Sequence, residues 1–272
     1  MSFTLASGTA AQSEPLWRYT APAKIRGFQV TPLGSLLVQT DSGTVTLDPD
    51  SGSTIWARSD MRWISLISRT ALALTWLDPG GPVLWDLESG RALTDSLPFE
   101  SVRGLITLPE RGLVLVHGPT AESPATLAAI SLDSAGIRWR QDSLFSRVVR
   151  EPDHFKKLSL TGQPPIVDQD SGVILYPNYG GPIKLDLFSG ALRWRADSLA
   201  NRDPPTRRDG WSPPLLHQGV LYVPYEKRMM ALRSGDGQVL WDRQDKLEGR
   251  AFQLAHTPHG LLVLTVPGPN DV

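Results

Sequence analysis

Four groups of residues in this 272-residue chain have types and spacings that could do chemistry. His256-Thr257-Pro258-His259 brings two imidazoles together, the usual start of a zinc or iron site. The intervening proline and the following Gly260 instead predict a strand-joining turn, with no carboxylate nearby as a third ligand. Asp168, Asp170 and Ser171 in VDQDSG are of the type found in calcium loops, but the EF-hand spacing and its terminal glutamate are missing, and a tight turn between strands explains them more simply. PNYGGP, residues 177–182, has two glycines that could cradle an anion, yet it reads as a hairpin turn. His117, His154 and His217 are isolated, and the chain has neither a G-x-S-x-G nucleophile elbow nor a phosphate-binding G-x-x-x-x-G-K-[ST] loop.

The elements that would position such residues are short. Gly (24) and Pro (23) are both frequent, and outside residues 53–78 no more than fifteen residues pass without a Gly, Pro or Asn. That punctuation leaves room for strands but not for amphipathic helices of several turns. The longest apolar runs, such as Leu261 to Leu264, fall far short of the ~20 residues of a membrane-spanning helix. A net charge of -1 excludes wholesale nucleic-acid binding, and zero cysteines exclude disulfides, cysteine-ligated zinc, a thiolate nucleophile and a lipidated cysteine. The first fourteen residues lack a basic segment followed by an apolar one, and are expected to be an irregular tail.

A repeat organises the rest. Asp48-Pro49-Asp50-Ser51-Gly52 is followed by Trp56, and Asp186-Leu187-Phe188-Ser189-Gly190 by Trp194, both reading D-x-x-S-G-x-x-x-W. Asp86 to Gly90 keeps the turn but has Thr94 in place of the tryptophan. LDSAGIRW reads as a copy compressed by one residue, with Asp133, Gly136 and Trp139. LRSGDGQVLW runs from Arg233 through Gly237 to Trp241, and PLWRYT supplies Trp17. The equivalent positions 17, 56, 94, 139, 194 and 241 are spaced by 39, 38, 45, 55 and 47 residues, the period of four-stranded propeller blades with insertions. The predicted fold is an all-β propeller of four-stranded antiparallel blades in one domain, residues 15–272. Its units are approximately 25–60, 61–98, 101–144, 160–199, 211–246 and 250–272, the last incomplete, as in a fragment of a seven- or eight-bladed ring. Asp and Ser cap each turn, Gly supplies the positive φ, and Trp17, Trp56, Trp139, Trp194 and Trp241 are expected to glue each blade to its neighbour.

On these residues the chain resembles the pyrroloquinoline-quinone-type repeat propellers, whose blades read L-D-x-x-[ST]-G-x-x-x-W. The resemblance is closest in TLDPDSGSTIW and KLDLFSGALRW, while VLWDLESG, with Trp85-Asp86, looks more like a WD-repeat strand pair. The family includes quinone- and calcium-dependent dehydrogenases and also non-enzymatic members, the outer-membrane assembly propellers of the BamB type. Such dehydrogenases have a calcium site of carboxylates and amides and, in many, adjacent cysteines. The absence of cysteine and of an evident calcium constellation favours the non-catalytic branch, a protein-binding scaffold without cofactor or metal, with a quinone- and calcium-dependent dehydrogenase domain as the alternative. The resemblance implies a periplasmic or extracellular setting and peripheral association with a membrane protein complex. An extracytoplasmic sensor propeller within a larger protein is the further alternative.

The long connections cluster on the face opposite the D-x-x-S-G turns, in residues 117–124, 145–162, 178–181 and 200–210. Two of them carry Arg147, Arg150, Lys156, Lys157, Arg202, Arg207 and Arg208 against Glu151, Asp153, Asp203 and Asp209. That modest basic excess could steer an acidic partner, or could serve only to keep a long loop solvated.

Overall fold

Short alternating segments separated by glycine turns favour antiparallel hairpins, because a two- to five-residue turn can only return the chain beside itself. The computed structural model describes residues 16–142, 144, 165–168, 172–176, 181–196, 213–225, 228–243, 247 and 250–266. Five successive sheets have four strands each, and a sixth has two. The first sheet contains β1 (Ile25–Val30), β2 (Leu36–Thr40), β3 (Gly43–Leu47) and β4 (Thr54–Arg58). The second contains β5 (Met61–Leu66), β6 (Leu72–Leu77), β7 (Gly81–Asp86) and β8 (Arg91–Ala92), and the third β9 (Gly104–Leu108), β10 (Leu113–Gly118), β11 (Thr126–Ser131) and β12 (Ile137–Gln141). The fourth is built from β13 (Ile166–Val167), β14 (Gly172–Leu175), β15 (Ile183–Asp186) and β16 (Leu192–Arg195). The fifth is built from β17 (Leu215–His217), β18 (Val220–Tyr225), β19 (Arg228–Arg233) and β20 (Val239–Arg243). The sixth pairs β21 (Arg250–Thr257) with β22 (Gly260–Val266). Within every sheet, strands follow one another in sequence order, the up-and-down meander of a propeller blade.

The chain forms two compact units, Met1–Asp95 with the first two sheets and Ser96–Val272 with the others. In each, sheets stack face to face, so the second and third strands of a blade are apolar on both sides. In the first unit, Leu37 of β2 packs with Ala73, Val83 and Trp85 of the second sheet. In the second unit, Val173 and Leu175 of β14 join Leu113, Leu115 and Leu127 of the third sheet, while Ile174 between them joins Leu221, Val223 and Met230 of the fifth. Successive residues of one strand therefore serve two different cores, as the period-two geometry of a strand requires.

The fourth strands share a distortion that the sequence pattern does not announce. The register of β3 with β4 shifts so that Thr46 faces Trp56 and Leu47 faces Thr54, skipping Ile55. The same shift skips Arg138 in β12, Arg193 in β16 and Leu240 in β20. Each is a β-bulge immediately before a tryptophan, and a bulge re-aims the side chain that follows it. The pairing of β8 has no such shift, and the second sheet is the one with Thr94 at this position. There the Leu84 amide donates to the Thr94 hydroxyl at 3.0 Å, and the strand ends after two residues.

Candidate functional site

The repeated turn is fixed first by the backbone. In the fourth sheet the Asp186 amide donates to the Ala191 carbonyl and the Gly190 amide to the Asp186 carbonyl, at 2.8 and 2.9 Å. Asp48 and Gly52 repeat this in the first sheet, and Arg233 and Gly237 in the fifth. Side chains then cap it: Asp186 accepts from the Phe188 and Ser189 amides and from the Ser189 hydroxyl. The Arg193 guanidinium, together with these donors, holds the Asp186 carboxyl well below the usual carboxylate range. Asp48 is lowered by the Ser51 amide and hydroxyl, and Asp236 by the Gln238 amide and Arg233. At Asp86 burial pushes the carboxyl upward, but the Ser89 hydroxyl and the Glu88 and Ser89 amides outweigh it and the net shift is down.

The same hydrogen bonds correct the reading of the third unit. The Ser131 amide donates to the Gly136 carbonyl at 2.9 Å, and the Ser134 amide to the Ser131 hydroxyl at 3.3 Å. Ser131 therefore occupies the aspartate position and Ala135, at φ 55°, the left-handed one. The copy is not compressed. Asp133 and Gly136 are not its cap and left-handed residue, because a serine hydroxyl substitutes for the carboxylate and an alanine tolerates the strained φ.

Onto four of these turns a tryptophan docks, three from the preceding sheet and one, Trp17, from the segment before the first sheet. The indole N–H of Trp17 donates to the Pro49 carbonyl at 2.7 Å, and that of Trp56 to Leu87 at 2.8 Å. Trp139 donates to Leu187 at 2.9 Å, and Trp194 to Ser234 at 2.7 Å. Every acceptor is the residue after the cap position. Each ring lies flat on the turn glycine: a methyl group added at Gly52, Gly90 or Gly190 would stand 2.5 Å from the indole, and one at Gly237 2.8 Å. The glycine thus meets two demands, a positive φ and a bare face. Covering roughly 150–250 Å² of aromatic surface at about 25 cal/mol per Å² bounds each contact at ~4–6 kcal/mol before entropy is subtracted. Trp241 is different. It remains 37% exposed, with its ring tilted against Tyr222 of its own sheet at 6.1 Å. Among the described residues no turn receives its indole, so the interblade role expected for it is not seen there.

Sequence reasoning missed a buried cation. Lys184 of β15 is fully buried, its Nζ donating to Asp168 Oδ2 at 2.7 Å and to the Ser234 carbonyl at 3.0 Å. It faces Trp194 across the ladder, so ammonium and indole converge on one carbonyl of the fifth sheet. The only sequence signal was a lysine within the apolar strand IKLD. Asp168, considered above as a calcium ligand, is this lysine's partner, while Asp170 and Ser171 lie outside the described residues. Among the described residues no group of three or more His, Asp or Glu side chains converges as a metal site. His256 stacks on His217 at 3.6 Å between ring centroids, and His259 is exposed. His117 is buried, its Nδ1 3.0 Å from the Thr126 carbonyl. The connection containing Pro119–Ala125 is pinned by Arg140, which pairs with Glu122 and Asp142 at 2.8 and 2.7 Å. Arg147, Arg150, Lys156, Lys157, Arg202, Arg207 and Arg208 lie outside the described residues, as do His154 and residues 177–180.

Four-stranded meander blades locked by tryptophan on a D-x-x-S-G turn define a quinone-type repeat propeller. The family model described as outer membrane protein assembly factor BamB matches residues 73–244, and the chain belongs to that family. Among solved structures, BamB from Moraxella catarrhalis is similar at 16% identity, covering 93% of this chain and 80% of that one, with a TM-score of 0.48. The computationally designed Ika8 protein is similar at 10% identity, covering 89% and 68%, TM-score 0.45. The dihydro-heme d1 dehydrogenase NirN is similar at 14%, covering 94% and 55%, TM-score 0.47. No match was found among curated proteins.

Three outcomes are expected. Gly190→Ala should cost about 2–4 kcal/mol in chemical denaturation, since an ordinary over-packing strain adds to the left-handed φ. Gly34→Ala, at φ 84° with nothing within 4 Å, should cost only about 1–2 kcal/mol. In a Trp139→Ala background the Gly190→Ala penalty should shrink towards the Gly34 value, a coupling that a double-mutant cycle reads directly. Lys184→Met should destabilise by about 3–5 kcal/mol, because it removes the cation beside a largely buried carboxylate, and Lys184→Met with Asp168→Leu should recover much of that loss. The lowered turn carboxylates contribute stability that is complete above their unfolded pKa of about 4 and is lost as pH falls through their lower folded values. Melting temperature should therefore be nearly flat from about pH 7 to 5 and fall below about pH 4, with a shallower acid slope in Asp186→Asn.

Proposed function

We propose that this protein is a non-catalytic scaffold that binds another protein during outer-membrane or cell-envelope assembly. The observation that carries this reading is the match of residues 73–244 to the BamB assembly-factor family. The chemistry of the described residues supports it. The polar side chains at the repeated turns and in the Lys184–Asp168 pair make bonds that hold sheets in place, as a scaffold requires. On this reading the protein sits in the periplasm and attaches peripherally to a membrane protein complex, as its family membership suggests. No helix among the described residues is long and apolar enough to cross a membrane.

The partner surface on this reading is the long-connection face, where Arg140 holds the connection of the third sheet rigid against Glu122, Asp142 and Thr120. A preorganised loop loses less entropy on binding than a mobile one. Two measurements test the proposal. Cross-linking in envelope membranes is expected to capture a membrane protein complex, and Arg207→Glu with Arg208→Glu to reduce that capture at unchanged melting temperature. Incubation with pyrroloquinoline quinone and calcium, followed by desalting, is expected to leave no stoichiometric quinone absorbance. Retention of one quinone per chain would replace the scaffold with the dehydrogenase reading.

A further inference from the structure

Between the first sheet and the segment that precedes it lies a cavity of about 370 Å³. Its floor is apolar, formed by Val45 of β3 and by Ala57, which faces Val45 across the ladder in β4. One wall is Tyr19, packed against the small core of Val38, Val45 and Leu47. The rest of the rim carries hydroxyls, from Thr40 and Ser42 in the turn between β2 and β3 and from Ser59 just beyond β4. The charges around it are already engaged. Arg58 borders the cavity, but its guanidinium lies over the Trp85 ring at 5.0 Å and pairs with Asp60, while Asp41 of the turn pairs with Arg26. The turn hydroxyls point their protons in one direction. Thr40 donates to the Gly43 carbonyl at 3.0 Å, so at its 3.1 Å contact with Ser42 it accepts and Ser42 donates. With that proton committed, the exposed Ser42 oxygen meets the cavity as an acceptor, at the head of a chain in which each hydrogen bond polarises the next.

We propose that this cavity binds a neutral carbohydrate, one or two pyranose rings of a glycan. A pyranose has hydroxyls on its edge that can donate to Ser42 and exchange hydrogen bonds with Ser59, whose own hydroxyl rotates to donate or accept. Its face of C–H groups matches the Tyr19 ring and the aliphatic floor. Other classes fit less well. A charged ligand meets no available counter-charge to offset its desolvation, and a purely apolar one leaves the rim hydroxyls without partners. The volume falls within the roughly 300–1,000 Å³ of small-molecule sites, near the lower end. The site belongs to the first compact unit and does not depend on the scaffold reading.

The probes are maltotriose and chitotriose, two neutral sugars of which only the second carries acetamido groups. Titrated into the intact protein and followed by calorimetry or ligand-observed NMR, at least one is expected to bind saturably, with Kd below about 5 mM. Ser42→Ala should weaken that binding about three- to tenfold, the worth of one hydrogen bond, at unchanged melting temperature because the side chain is exposed. Tyr19→Ala should weaken it by a similar factor, about three- to tenfold, through loss of the aromatic face. Inorganic phosphate in the same concentration range should not displace the sugar. Absence of saturable binding by both sugars would overturn the proposal, and so would equal binding by the wild type and Ser42→Ala. Displacement by phosphate would overturn it too, by showing that the cavity selects an anion.

Discussion

An indole lying on a glycine is the contact on which the described part of this molecule depends. Hydrophobic burial alone would let two sheets slide, because face-to-face packing of aliphatic side chains is broad and non-directional. The tryptophan removes that freedom by requiring three things at once: a bare left-handed residue beneath the ring, a carbonyl in line with its N–H, and a bulge that turns the side chain off its own sheet. Each is supplied by a different residue of the motif, which explains why the motif is long and recurs. The four docked rings have indole hydrogen bonds of 2.7 to 2.9 Å, so blade geometry is copied along the chain with little variation.

The departures from the rule show which parts are replaceable. The cap tolerates exchange: Ser131 replaces the carboxylate with a hydroxyl, and Arg233 reverses the polarity by pairing with Asp236 three residues on. The left-handed residue tolerates alanine at position 135, at a strain of about 1–2 kcal/mol. The unit before it in sequence is the one in which threonine replaces tryptophan. Lys184 adds a second donor to the carbonyl that Trp194 already uses. Its ammonium is compensated by Asp168 from the start of the same sheet. Charge buried in this way fixes position more than it adds stability.

Much of this was legible in the sequence because the turn motif is local. Its aspartate, serine, glycine and tryptophan act within nine residues, and hydrogen bonds of that range leave a mark on residue order. The strand alternation was legible for the same reason. The bulges were not, since a bulge depends on the partner strand and no residue type announces it. The third unit was misaligned because Asp133 and Gly136 imitate the motif one residue out of place, and only the backbone pairing at Ser131 resolves the register. The Lys184–Asp168 pair joins residues sixteen apart in different strands, a relation set by the ladder rather than by spacing. Trp241 carries the full local signal of a docking residue. Whether a turn in another sheet receives its ring is a long-range relation that a local pattern does not report.

The bulged turn also fixes a length. From cap residue to docking position the count is eight in every unit: 48 to 56, 86 to 94, 131 to 139, 186 to 194 and 233 to 241. The repeat period meanwhile ranges from 38 to 55. Drift in length has therefore fallen outside the motif, because one residue gained or lost inside it would rotate the ring away from its glycine. The scaffold thus separates a turn that cannot take an insertion from connections that can. New recognition loops can be added there during evolution, or grafted in the laboratory, without disturbing the joints between blades.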